Sequence, residues 1–174
     1  MIGRSIRFIA IAGFATCLAW RAFAADPIEI AVIGPFTGGS APMGVSMLHG
    51  IRLAADEINR SGGVLGREIV LLERDDKANN EIGAAIASEV TEKHPVAAAL
   101  GIVNTGVGLA AEPYFEGARI PLVISVSTGT ILTTRFAPPE YRENYIFRMS
   151  ANTALESGMI AAERAWRVHS PLNR

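Results

Sequence analysis

Short β-branched apolar runs alternate with amphipathic stretches along this chain, and that alternation restricts the fold more than any single motif. The first run, IEIAVI from Ile28 to Ile33, stops at Gly34-Pro35, a pair that cannot continue a ladder, and predicts a buried strand. A Gly/Pro/Ser/Thr loop follows from Gly34 to Gly44. Beyond it Leu48, Ile51, Ala55 and Ile58 recur at helical spacing with Arg52, Asp56 and Glu57 between them, and Ser61-Gly62-Gly63 closes the segment. This is the signature of an amphipathic helix with a glycine stop.

The pattern then repeats. Ile69 to Glu73 predicts a second strand, ending in the charged loop Glu73 to Glu81, where Asn80 can cap a helix carrying Ile82, Ala85, Ile86 and Val90 on one face. Val96 to Gly101 predicts a third strand, and the loop Ile102 to Gly108 leads into a helix interrupted by Pro113 that ends near Gly117. Strand Leu122 to Val126, a loop from Ser127, a connector at Pro138-Pro139, strand Tyr145 to Arg148 and a helix from about Thr153 to Trp166 follow. Such alternation specifies an α/β fold: a Rossmann-like parallel sheet with helices on both faces.

Ligands of such sheets bind outside the carboxyl ends of the strands, where the connecting loops gather. The loops at Gly34 to Gly44, Ile102 to Gly108 and Ser127 to Thr130 are uncharged and rich in Gly, Ser, Thr and Asn, which is binding chemistry and not acid/base chemistry. A helix beginning near Thr105 would aim its first N–H groups and positive dipole end at the crevice, a seat for a carboxylate. Asn104 and Thr105 can add side-chain hydrogen bonds there, while Ser127 and Thr128 offer hydroxyls and carbonyls to an ammonium group. The alternative on residue type alone is that Asn104 and Thr105 only cap the helix and Ser127 and Thr128 only shape a turn.

Composition narrows the function classes. The chain has 174 residues, 49% hydrophobic and 19% charged, with one Cys and a formal charge of -1, which excludes a disordered, collagenous or disulfide-framed protein and gives nucleic acid no electrostatic handle. Arg4 and Arg7 precede an apolar stretch from Phe8 to Trp20, and Ala22-Phe23-Ala24 supplies a peptidase site, so residues 1–24 are expected to be a cleaved signal peptide. The stretch is short for a bilayer span, so no stable membrane insertion is expected after cleavage, and Cys17 would leave with the signal. The 16 basic residues less Arg4, Arg7 and Arg21, set against 17 acidic ones, leave a net charge of -4.

Catalytic constellations lack support. His49, His94 and His169 have no metal-ligand spacing, and beyond the signal there is no Cys to act as a nucleophile. Asp75-Asp76 reads as a solvated, helix-capping pair, since adjacent strand residues point apart. Neither GxGxxG nor GxxxxGK[ST] occurs, and Ser125, Ser127 and Ser157 lack the glycines of a nucleophile elbow. No cofactor and no enzymatic activity are expected, and Phe36, Tyr114 and Phe115 read as core or crevice wall.

IAVIGPFTG, DEINRSGGVLGR (Asp56 to Arg67), ERDD (Glu73 to Asp76), ALG (Ala99 to Gly101) and IPLVISVST (Ile120 to Thr128), in that order, resemble the periplasmic substrate-binding proteins of branched-chain amino acid ABC transporters. The resemblance spans roughly Ile28 to Trp166. It implies two α/β lobes closing over a small amino acid or related carboxylate, a permease partner, a periplasmic location and no catalysis. By position it lays the carboxylate site on Asn104 and Thr105, the ammonium site on Ser127 and Thr128, and a side-chain contact on Met43. It divides the chain into residues 25–149, a ligand-binding lobe, and 150–174, a crossing with the first helix of a second lobe whose remainder is expected to be missing through truncation. An extracytoplasmic sensing domain of a receptor, on the same fold, is the alternative.

Overall fold

The computed structural model describes residues 26–169, so the expected signal segment at 1–24 lies outside the described residues. β1 (Ile28–Gly34), β2 (Ile69–Asp75), β3 (Ala98–Gly101), β4 (Leu122–Ile124) and β5 (Ile146–Arg148) form one parallel sheet in the order β2-β1-β3-β4-β5. The helices are α1 (Ala41–Arg60), α2 (Asn80–Lys93), α3 (Thr105–Ala118), the single turn α4 (Ile131–Thr134) and α5 (Thr153–His169). The expected α/β architecture is present.

Register assigns the faces. Ala31, Leu72, Ala99, Leu122 and Ile146 are successive partners across the sheet and therefore share one face. There they meet Ile86, Ala87 and Val90 of α2 and Val107, Ala111 and Phe115 of α3 in the main core. Full burial of a side chain such as Phe115 is worth roughly 1.5–3 kcal/mol. Adjacent residues of β2 show both faces at once: Glu73 accepts both guanidinium bonds of Arg52 on α1, at 2.7 and 2.6 Å, while Arg74 reaches Glu89 on α2 at 2.9 Å.

Several boundaries differ from expectation. α1 begins at Ala41, inside the stretch expected to be loop, because Pro42 is preset for a first helical turn and Gly44 is buried against Pro35. Met43 therefore belongs to a helix and not to the loop after β1. The cap of α2 is Asn79, not Asn80: its extended backbone lets Oδ1 accept from the N–H groups of Glu81 and Ile82 at 2.9 and 3.0 Å. α3 runs through Pro113 to Ala118 and stops where Arg119 turns left-handed at φ 57°. β2 extends to Asp75, β3 starts at Ala98 and β4 ends at Ile124.

One strand exit is tightly constrained. Gly101 has φ 143°, and a Cβ there would lie 1.9 Å from the carbonyl oxygen of Ile33. Gly101→Ala is expected to cost about 3 kcal/mol or more and to remove the cooperative thermal transition, whereas Gly117→Ala, in a helix with open space around it, should be neutral or stabilising by about 0.5–1 kcal/mol. Circular-dichroism melting of both variants checks this.

Candidate ligand-binding site

All strands run parallel, so their carboxyl ends share one edge of the sheet. Asn104 and Thr105 follow β3, and Ser127 and Thr128 follow its neighbour β4. Just before Asn104 the buried, β-branched Ile102 sits at φ 63°, a conformation costly for such a residue. Its N–H donates to Ile33 O at 3.0 Å and its carbonyl accepts from Ser127 N at 3.0 Å, which binds the ends of β1, β3 and β4 together.

Thr105 and Ser127 meet, and Asn104 and Thr128 adjoin them in the chain. The Thr105 and Ser127 hydroxyl oxygens are 2.9 Å apart, and Ser127 is 3% exposed. Gly129 brings the loop so close that a Cβ there would lie 2.5 Å from Thr105 Cγ2. Gly108 is the first residue of α3 whose N–H bonds back, to Asn104 O at 3.1 Å, so the N–H groups of Thr105, Gly106 and Val107 have no helical acceptor. Asn104 stands at the N-cap position, yet its side chain makes no capping bond; Nδ2 reaches Ser40 Oγ at 3.5 Å and Oδ1 is buried without a donor. The capping alternative is therefore not realised at Asn104.

Two expectations need correction. The carbonyls of Ser127 and Thr128, expected to serve an ammonium group, are already taken: Ser127 O accepts from Arg148 Nη1 at 3.2 Å and Ser150 Oγ at 2.6 Å, and Thr128 O from the amide and hydroxyl of Thr153 at 2.9 and 2.8 Å. Met43, 53% exposed, lines an adjoining apolar cavity of about 800 Å³ with Met47, Ser125, Val126 and Met149. That cavity runs the length of α1 to Ile58 and Ile69 at the opposite edge of the sheet, so it is an elongated groove under a helix, with Met43 at the end nearer the strand exits.

Sequence reasoning missed Ser40, Ser150 and Arg148. Only Arg148 left a signal, as a charge two residues beyond buried Ile146 and thus on the buried face of its strand. Ionisable groups near the seat serve structure. Asp75 accepts from Phe36 N, Thr37 Oγ1 and Lys77 N; these bonds outweigh its burial and hold its carboxyl below the usual range. Asp76 is buried, which raises its carboxyl. No group of His, Cys, Asp and Glu among the described residues is arranged to hold a metal.

The periplasmic binding protein family matches residues 27–167. The chain belongs to that family. Leu/Ile/Val-binding protein homolog 3 of Brucella melitensis is 28% identical over 131 residues, 75% of this chain and 35% of its own length. A branched-chain amino acid transporter substrate-binding protein of Streptococcus pneumoniae, solved with isoleucine, is 26% identical with TM-score 0.66 over 72% of this chain and 34% of that one. An ABC transporter solute-binding protein of Rhodopseudomonas palustris, solved with 3,4-dihydroxybenzoic acid, is 26% identical with TM-score 0.66 over 79% and 36%. The chain thus spans about a third of the length of the curated relatives it matches.

Glu112 of α3 is fully buried with neither carboxylate oxygen partnered, and burial pushes its carboxyl up to about 8 against the attraction of Arg135 and Arg148. The folded protein then holds a proton that the unfolded chain loses near 4.5, so stability is lost as pH rises from about 4.5 through about 8. Thermal melts across that window should show a falling midpoint, and Glu112→Gln should flatten it; equal slopes in both proteins would contradict the assignment.

Proposed function

We propose that this lobe binds a small carboxylate ligand, foremost a branched-chain or related amino acid, in the periplasm for delivery to an ABC transporter permease, without chemical change to the ligand. The observation that carries the reading is the hydroxyl contact of Thr105 with Ser127 beside the open N-terminus of α3, with Asn104 and Thr128 next to them in the chain. The carboxylate sits on the N–H groups of Thr105 and Gly106, with the hydroxyls of Thr105 and Thr128 beside it. The ammonium end faces acceptors only, which here are hydroxyl oxygens. Met43, at the near end of the apolar groove, borders the ligand's side chain. The ligands bound in the two related structures, isoleucine and a dihydroxybenzoic acid, share a carboxylate and little else, which supports a seat defined by that group.

Residues 25–149 form the ligand-binding lobe in this reading, and 150–174 begin the crossing toward a second one. A single lobe exposes one side of a small ligand to water, and its partial contacts must still offset the entropy of association. Affinity of the lobe alone is therefore weak, no tighter than ~1 mM, or about 4 kcal/mol. Titrating the isotope-labelled chain with L-leucine should move amide resonances at Asn104 to Gly106 and Ser127 to Gly129, and Thr105→Val should abolish the shifts. Shifts confined to other regions, or micromolar affinity, would overturn the reading.

A further inference from the structure

We propose that Arg148 is a positioning residue of the ligand seat: it grips the Ser127–Gly129 loop by its carbonyl oxygens and so sets the Ser127 hydroxyl against Thr105 at the first turn of α3. This rests on the reading of that loop as part of the seat.

Consecutive carbonyls of the loop are all held from the stretch Arg148 to Thr153. Arg148 Nη1 donates to Ser127 O at 3.2 Å, and Arg148 Nη2 donates to Gly129 O and, at 3.3 Å, to Thr133 Oγ1. Between these, Thr128 O accepts from Thr153 N at 2.9 Å and Thr153 Oγ1 at 2.8 Å. Ser150 Oγ supplies a second donor to Ser127 O at 2.6 Å. The guanidinium's fixed fork suits two carbonyls separated by one residue, which a point-charge ammonium cannot span in the same way. β5 delivers the fork to the right depth, since Arg148 pairs in register with Ile124 at the end of β4 and Met149 N donates to Ile124 O at 2.9 Å.

The arrangement also says what Arg148 is not. It makes no direct ion pair with buried Glu112, whose oxygens are unpartnered, and its own Nε is buried without an acceptor. Its bonds are spent on the loop, so its consequence is the placement of Ser127, and through the 2.9 Å hydroxyl contact the placement of Thr105.

The test uses the full chain, isotope-labelled, with L-leucine as probe and the initial slope of amide shift per millimolar leucine at Thr105 and Thr128 as readout. Arg148→Met should lower the slope at least tenfold and Arg148→Lys roughly threefold. Val90→Ala, which opens a cavity in the core away from the seat, should keep the wild-type slope despite its lower melting temperature. Wild-type slopes in a folded Arg148→Met variant, or an equal loss in Val90→Ala, overturn the proposal. Where Arg148→Met fails to fold, Arg148→Lys decides, and an unchanged slope there overturns it. Absence of seat shifts in the wild-type chain itself would instead sink the functional reading on which the proposal stands.

Discussion

β1 and β3 approach so closely at their carboxyl ends that Ile33 O occupies the space a side chain would need at residue 101. The same oxygen accepts the N–H of Ile102, whose left-handed backbone costs on the order of 1–3 kcal/mol, offset by complete burial of its side chain in the core. The next carbonyls hold β4: Gly101 O accepts from Ser125 N and Ile102 O from Ser127 N. Three strand exits are thereby locked at one level, α3 starts at the edge, and the loop after β4 lies across its first turn. Whatever the seat does chemically follows from this knot of backbone.

The knot builds a polar surface without exposed charge. Hydroxyls, amide groups and a helix N-terminus suit a ligand that brings its own charges, with no protein carboxylate or ammonium to desolvate. The buried acids follow a different logic. Asp76 and Glu112 lie out of solvent with carboxyls raised by burial, and the guanidinium nearest the seat is committed to carbonyls. This suits reversible binding far better than proton transfer.

Strand and helix order was legible because each buried strand is a run of β-branched or small apolar residues ended by Gly, Pro or a polar cluster. The candidate residues were legible because parallel topology sends every post-strand loop to the same edge. What stayed hidden depends on tertiary contact. Pro42, Met43 and Gly44 read as loop by composition, but Gly44 permits the first turn of α1 to lie on Pro35. The occupied carbonyls of Ser127 and Thr128 were invisible because backbone acceptors carry no residue signature; their donors lie more than twenty positions away in Ser150 and Thr153. Asn104 is a cap by position and residue type, and only its side-chain direction shows otherwise.

Among the described residues, apolar surface is open at the groove beneath α1 and on α5, where Leu155, Met159 and Trp166 are 61%, 70% and 58% exposed in line with the single stripe their spacing forms. The groove is an apolar concavity of about 800 Å³, so it competes with the polar seat as a place for an amino acid, and a crystal structure of the chain with L-leucine at high concentration separates them. The account predicts a leucine carboxylate within hydrogen-bond reach of the Thr105 and Gly106 N–H groups. Leucine lodged in the groove, with the N-terminus of α3 empty, would contradict it.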